Sequence, residues 1–384
     1  LGHAYGIIEK KTTLPILANI LIEAKDSKAK ITATDLDIIY SEDVVLEKLN
    51  TEGSTTTSAS VLYDILRKLE PNAKVELFLQ SENKIKVTSG NSKFNLLCIS
   101  SNNFPVSNED FKSESFQISS QKLLKLLNKA KISISSDETR HYLNGIYFHK
   151  TKIQNQSFLT GVATDSHRLS SSSLEMDENI NFEPIILPKK TVYQLISLLE
   201  QATDNIKISN NKSKVKFEMN NGILISKVID GRFPDYTKVV PRDNDKILQI
   251  KLNEFKNSIE RVTTVSLDRK EGLKMNIKKD SLELSVNSPN SGEGVENINS
   301  KFSSDEMTVS FNSKYLIDIS SQIEDETITM NLKEAGSPVL IRDLSDKNSY
   351  HVVMPMKIWS YWQKTIIRIF FFFSLSYHLI PREI

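Results

Sequence analysis

Five times along the chain, a stretch of alternating apolar and polar residues runs into Ser, Asn or Pro and then into an amphipathic segment. The five are TTTSASVLYDILRKLE (55–70), FQISSQKLLKLLNKAK (116–131), IILPKKTVYQLISLLE (185–200), LQIKLNEFKNSIERV (248–262) and MTVSFNSKYLIDISSQI (307–323). Alternation with period two predicts a strand; apolar residues three and four apart predict a helix with one buried face, as at Leu123, Leu124, Leu126 and Leu127. Ser58, Ser119, Asn253 and Asn312 stand where helix N-caps are expected, and Pro188 where a first turn begins. The tract between helices at 73–99, AKVELFLQSENKIKVTSGNSKFNLLCI, predicts an antiparallel meander with turns near Ser81–Asn83 and Gly90–Asn91. Residues 205–229 and 273–298 repeat that layout.

Helix starts recur every 60 to 70 residues or so, roughly the period of half a domain. The pattern predicts an α+β protein of three repeated domains, 1–109, 110–243 and 244–358, each a pair of helices against antiparallel sheet. The breaks fall at two polar stretches, SNNFPVSNEDFKSES and VVPRDNDK. Three equal domains require six helices, and the sixth is expected at the N-terminus, which the count implies is shortened. Residues 359–384, aromatic and apolar, have no place in the repeat and are expected to form a disordered tail. Their apolar run, Ile366 to Ile380, is interrupted by Arg368 and His378 and falls short of the roughly 20 residues of a membrane span.

Charge changes this picture only through its distribution. Lys plus Arg is 49 against 48 for Asp plus Glu, a net of +1. Over the five helical segments, however, there are eleven basic residues, Arg67, Lys68, Lys122, Lys125, Lys129, Lys131, Lys189, Lys190, Lys256, Arg261 and Lys314. Only Asp64, Glu254, Glu260 and Asp318 oppose them, so the helices carry +7 and the remainder of the chain −6. A wall built from those helices is positive, as a sequence-independent duplex-binding surface requires. Solvated lysines on ordinary exposed helix faces account for the same count. The single cysteine, Cys98, excludes an intrachain disulfide and a cysteine-built zinc site, and a reducing cytoplasm is expected.

The one stretch that imitates an active site is GVATDSHRLSSSS (161–173), with Asp165, Ser166 and His167 in a row. Neighbours along a strand or turn point in different directions, so they form no relay, and no nucleophile elbow, zinc-protease or Walker motif accompanies them. The six histidines have no metal-ligand spacing, and His141 and His149 are expected to be solvated. ATD occurs at 33–35 and again at 163–165, which marks Asp35, with Asp37, as part of a structural strand-end turn used once per domain. No enzyme, metal or cofactor is expected.

TLPILANILIEA with ITATDLDI, RHYLNGIYF followed by VATDSHRL, and DGRFPDY with YHVVMPMKI together resemble the beta sliding clamp of bacterial DNA polymerase III, over roughly residues 1–358. The resemblance implies the DNA clamp fold, with three domains per chain, antiparallel sheets outside and a pair of helices per domain inside. It implies a head-to-tail homodimeric ring around double-stranded DNA that gives the polymerase processivity. Expected duplex-facing residues are Lys11, Arg67, Lys68, Lys122, Lys125, Lys129, Arg140, Tyr142, Lys189 and Lys256. The implied dimer edges lie around Phe94 and Leu96 in the first domain and Thr264 and Val265 in the third. The family's peptide groove, between the second and third domains, receives motifs of the polymerase III catalytic subunit, the clamp loader and repair polymerases. Its members here are Leu143, Thr164, Ser166, His167, Arg168, Leu169, Pro234, Lys238, Val239, Asn312, Tyr315, Val352, Val353, Met354, Pro355 and Met356. Family members commonly have Gly where Ser166 stands, and a bulky residue where Lys270 falls. By the same resemblance the first strand and much of the first helix are missing, and 359–384 is an addition. The competing reading is a peptide-binding protein of this fold, or a degenerate clamp copy, that closes no ring.

Overall fold

The computed structural model describes residues 1–9, 12–105, 114–220, 222–266 and 272–356. It divides into two compact units, Leu1–Pro234 and Asp235–Ile384. In the first unit the initial domain runs α1 (Gly2–Ile7), β1 (Asn19–Lys25), β2 (Lys28–Thr34), β3 (Ile38–Val45), β4 (Gly53–Ser58), α2 (Ala59–Lys68), β5 (Glu76–Ser81), β6 (Lys84–Ser89), β7 (Ser92–Ile99). The next domain runs β8 (Ser115–Ser119), α3 (Ser120–Lys131), β9 (Gly145–Ile153), β10 (Gln156–Thr164), β11 (Arg168–Glu175), β12 (Ile185–Pro188), α4 (Lys189–Leu199), β13 (Asn205–Asn210), β14 (Lys214–Met219), β15 (Gly222–Lys227). The second unit holds β16 (Lys246–Lys251), α5 (Leu252–Val262), β17 (Gly272–Ile277), β18 (Ser281–Ser288), β19 (Gly292–Phe302), β20 (Met307–Asn312), α6 (Ser313–Ser320), β21 (Thr327–Leu332), β22 (Val339–Arg342), β23 (Ser349–Val353).

The helices begin where short polar side chains can take an orphan backbone N–H. Ser58 accepts from Val61, Ser119 from Lys122 and Asn312 from Lys314. Two expected starts shift. Pro188 is itself the N-cap residue of α4, and α5 is preceded by Lys251, so Asn253 lies inside the helix and caps nothing. Strand β16 carries the chain to Lys251 without a break, which leaves no room for a cap at 253. Each helix buries one face: Leu123, Leu126 and Leu127 on α3, Val192, Leu195 and Leu199 on α4, Phe255 and Ile259 on α5. Leu124 is only partly buried, at the margin of the same core.

Among the described residues the strand pairs are antiparallel. In the first unit one sheet has the order β5-β6-β7-β4-β1-β2-β3-β15-β14-β13-β8, and β3 meets β15 through pairs such as Ile223 with Ser41, so the two domains share it. In the second unit the order is β23-β22-β21-β16-β19-β18-β17-β20. Helices α2, α1, α4 and α3 pack successively against one another beside the first unit's sheets, and α5 packs on α6 in the second. Gln194 of α4 reaches α1 at Gly6. The Gly6 carbonyl accepts from Gln194 Nε2 at 2.6 Å, and a Cβ there would come within 2.6 Å of Gln194 Oε1.

The repeat also exposes a difference between domains. The opening strand of the second domain pairs with the strand after its second helix, β8 with β13, and in the third β16 pairs with β21. The corresponding strand in the first domain, β5, is the end strand of the sheet order, and all six of its residues are exposed. Leu77, Phe78 and Leu79 lie on that edge. Open apolar edges promote strand pairing between molecules. Phe78→Lys is therefore expected to reduce self-association at high protein concentration without loss of folded structure, as light scattering beside circular dichroism would measure. Unchanged scattering would remove β5 as the sticky edge.

Candidate functional site: strand-end turns, basic helix faces and open edges

The two ATD segments fold into the same turn. In the first, Thr34 Oγ1 donates to the Ile38 carbonyl at 2.9 Å, and Asp35 Oδ1 accepts from the Asp37 and Ile38 amides at 3.0 and 2.7 Å. In the second, Thr164 Oγ1 donates to the Arg168 carbonyl at 2.7 Å, and Asp165 Oδ1 accepts from the His167 and Arg168 amides at 3.0 Å each. Both turns hold one residue in the left-handed region, Leu36 at φ 79° and Ser166 at φ 76°. The matching turn of the third domain, between β18 and β19, has no ATD segment: there the Ser291 amide donates to the Ser288 carbonyl at 3.2 Å and Gly292 takes φ 107°, so the ATD turn occurs twice and not once per domain. Asp35 and Asp37 also do what their sequence context did not disclose. Asp35 pairs with Lys190, and Asp37 pairs with Lys227 at 3.0 Å, so both tie the first domain to the second.

Around the second turn the expected groove residues separate into exposed and covered. Ser166 and His167 are exposed at its tip, while Leu143 and Leu169 are buried. Arg168, also expected in the groove, is buried, and its Nε donates to Asp165 Oδ2 at 3.1 Å. A buried guanidinium needs that carboxylate, which holds it inside the turn. Arg140 lies in a short 3-10 segment (Glu138–Leu143), where its Nε donates to Asp137 Oδ2 at 2.8 Å and its Nη1 to Ser166 Oγ at 2.6 Å. That link joins a residue expected to face duplex with one expected in the groove, and nothing in the sequence pattern announced it. The paired Asp137 carboxyl is held below its usual range, chiefly by hydrogen bonds from Thr139 and Arg140. Pro234 is exposed.

In the second unit Lys238 and Val239 are exposed, and Lys238 pairs with Asp235 at 3.4 Å. Asn312 spends its Oδ1 on the α6 N-cap, and Tyr315 and Pro355 are half-buried. Val352 and Val353 are buried in β23, whereas Met354 and Met356 just beyond it are exposed. The Met356 amide donates to the Ser310 carbonyl at 2.7 Å, and its sulfur passes 3.4 Å from the Cβ position of Gly272. The backbone is thus pinned while two flexible thioethers face outward, the property of an adaptable apolar docking surface. Lys270 lies outside the described residues.

Of the residues expected to face duplex, Arg67 and Lys68 on α2 and Lys122 and Lys125 on α3 are exposed. Lys189, whose Nζ donates to Ser136 Oγ at 2.9 Å, Lys256, Arg140 and Tyr142 are half-buried. Lys129 is a correction: only 2% of it is exposed, because the last turn of α3 packs into the domain, and it has polar or electrostatic interactions of its own there. Lys11 lies outside the described residues, as does the tail at 359–384.

Each unit presents an incompletely paired strand. β7 pairs with β6 along its length but with β4 only at Cys98 and Ile99, beside which the Leu97 carbonyl accepts from Thr57 Oγ1 at 3.1 Å, so its ladder on that side is unfilled over 92–96. β19 pairs with β18 along 292–299 but with β16 only at 300–302. Leu96 is buried and Phe94 packs on the core, because they share the sheet face with Ile85 and Val87; Leu97, on the other face, is 80% exposed. Thr264 is exposed and Val265 half-exposed in a 3-10 turn beside β18 and β19, and Val295 projects from β19.

Among the described residues no cluster of three or more His, Cys, Asp or Glu could hold a metal, and no helix is long and apolar enough to cross a membrane. A polar cleft of about 260 Å³ lined by His3, Tyr40, Glu42, Gln201 and Asp204 lies away from these features, and its groups bond among themselves, Tyr40 to Glu42 and His3 to Gln201. His141 is exposed, as expected, with Nε2 3.1 Å from the Asp230 carbonyl. His149 is not solvated: it stacks on Tyr147 with ring centroids 4.4 Å apart, and burial pushes its pKa down to about 4. Below its ordinary value near 6.5 the unfolded chain takes a proton that the folded one refuses, so stability is full above that pH and falls towards pH 4. The loss attributable to His149 is about 3 kcal/mol. Urea midpoints at pH 7.5 and 5 should differ less in His149→Gln than in the wild type; an equal difference would show that His149 does not titrate in this window.

Antiparallel strands with a pair of helices, repeated three times along the chain, define a protein of the DNA-clamp fold. The comparisons agree. Residues 1–108, 117–235 and 237–357 match, in order, the N-terminal, central and C-terminal domains of the DNA polymerase III beta subunit. The Beta sliding clamp of Caulobacter vibrioides (strain NA1000 / CB15N) is 33% identical over 360 residues, covering 93% of this chain and 96% of that protein. That of Escherichia coli (strain K12) is 29% identical over 359 residues, with the same coverage. Among solved structures, a sliding clamp from Bartonella birtlesii bound to griselimycin superposes with a TM-score of 0.89 at 34% identity, over 93% of this chain and 96% of that one. The chain belongs to the DNA polymerase III beta subunit family, the beta sliding clamps.

Proposed function

We propose that this chain acts in the cytoplasm as a replication clamp, closing head-to-tail with a second copy around double-stranded DNA and tethering the replicative polymerase. The clamp loader and repair polymerases are the other clients of this reading. The observation that carries it is the pair of half-open strands, β7 and β19, one in each unit of a three-domain repeat. A head-to-tail contact between copies covers both, and repeated twice it closes a ring. The Phe94–Leu96 strand and the Thr264–Val265 turn are the backbone frame of that contact, with Leu97 and Val295 supplying exposed side chains. The exposed residues offered to client peptides are Ser166 and His167 in the first unit and Val239, Met354 and Met356 in the second, and a relative solved with griselimycin bound supports a ligand-accepting surface in this family.

The basic helix faces supply the duplex contact. Lys122 and Lys125 lie three apart and exposed on α3, a helix whose own sequence contains no acidic residue. Lys122→Glu with Lys125→Glu is expected to weaken binding to short duplex at low salt. It should also reduce the slope of log affinity against log salt by about 0.9 for each phosphate that is no longer neutralised. An unchanged slope, measured by fluorescence anisotropy, would place the duplex elsewhere on the molecule.

A further inference from the structure

Ser166 stands at the left-handed position of its turn, as Leu36 does in the matching turn of the first domain, but of the two only Ser166 offers a side-chain oxygen. Its backbone is left-handed at φ 76°, a conformation that suits glycine, yet it carries a side chain whose oxygen accepts from Arg140 Nη1 at 2.6 Å. Arg140 in turn donates Nε to Asp137 Oδ2 at 2.8 Å, and Asp137 Oδ1 caps the same 3-10 segment through the Thr139 amide at 3.0 Å. The planar guanidinium therefore bridges two pieces of chain, the Glu138–Leu143 segment and the β10–β11 turn. It is not sealed in: its side chain is 37% exposed. At φ −118° and ψ 56°, Arg140 also interrupts the helical geometry of its segment.

We propose that Arg140 is a positioning residue that latches the Ser166–His167 turn in its docking-ready form, and that a duplex phosphate competes with Ser166 for the same guanidinium. This rests on the clamp reading above. With duplex engaged, Nη1 leaves Ser166, the turn is released from the 3-10 segment, and client peptide binds less tightly. By linkage, bound peptide weakens the phosphate contact by the same factor. The device is specific to a chain with a side-chain acceptor at this position, since glycine there offers no oxygen to hold.

The test titrates a labelled clamp-binding peptide of the DNA polymerase III catalytic subunit against the full chain, with and without saturating short duplex at low salt. In the wild type, duplex should raise the peptide Kd about fivefold. Ser166→Gly should start at the weakened Kd and ignore duplex, although glycine relieves the backbone. Ser166→Asn, which tolerates the left-handed region and keeps a side-chain oxygen, should restore both the tighter Kd and its response. A Ser166→Gly protein that binds peptide as tightly as the wild type overturns the latch, as does a wild-type Kd indifferent to duplex. Peptide that binds neither the wild type nor Ser166→Asn, both folded by circular dichroism, overturns the docking reading and the latch with it. Duplex that fails to bind at low salt does the same to the clamp reading.

Discussion

Leu97→Glu should turn a dimer into a monomer and abolish retention on circular DNA, leaving the fold intact. Leu97 is 80% exposed and projects from β7 beside its half-open stretch, so the isolated subunit loses almost nothing when its side chain becomes charged. In the proposed contact the same position is covered by the β19 edge of the second copy. A carboxylate buried there without a partner costs several kcal/mol, and every 1.4 kcal/mol is a tenfold change in dissociation constant. About a hundredfold weaker dimerisation is the expected minimum. Analytical ultracentrifugation across concentration reads the dimer directly. Retention on nicked circular plasmid, lost on linearisation, reads its closure. Phe94→Glu makes a useful contrast: Phe94 packs on the core, so that variant should lose thermal stability as well as dimerisation. A Leu97→Glu protein that stays dimeric at nanomolar concentration would move the interface off β7.

Leu97 also shows where the sequence stops being legible. In KFNLLCI, Leu96 and Leu97 are both apolar, so the alternation cannot say which faces inward. Pairing decides it: Leu96 lies opposite Ile85, and both are buried, which turns Leu97 out. What was legible is local. The helices at 59–68, 120–131 and 313–320 follow from an apolar stripe and a capping Ser or Asn within four residues. The echo of ATD correctly announced a structural turn, because the hydrogen bonds that the Thr and Asp side chains make to the turn's own backbone close within four residues. Lys129 was illegible for the opposite reason. It continues the stripe of Lys122 and Lys125, and only the packing of α3 against its own domain covers it. Arg168 is similar, since a neighbouring carboxylate three residues back decides whether its charge faces solvent. The bonds of Lys190 to Asp35 and Arg140 to Ser166 span 155 and 26 residues, and no periodicity encodes contacts of that kind.

The largest effect on client binding is expected from Met354→Ala with Met356→Ala. Both side chains are exposed, at 41% and 37%, so truncating them removes little from the folded core. Val352 and Val353, just before them, are buried in β23 and pair with Leu340 and Val339; changing them would confuse docking with folding. The Met356 amide bond to Ser310 is a backbone interaction, so the substitution leaves the course of the chain in place. What disappears is polarisable apolar surface able to fit differently shaped clients. If these two methionines form one wall of the docking surface, the double variant should bind a polymerase-derived peptide at least about tenfold more weakly, as an anchor at the centre of an interface does. Duplex affinity and dimerisation should not change, since neither the basic helix faces nor the β7 and β19 edges include these residues. Peptide affinity within about twofold of the wild type would take Met354 and Met356 out of the client surface, because a central anchor costs far more than that. Dimerisation abolished in the same variant would show that the segment after β23 supports closure instead.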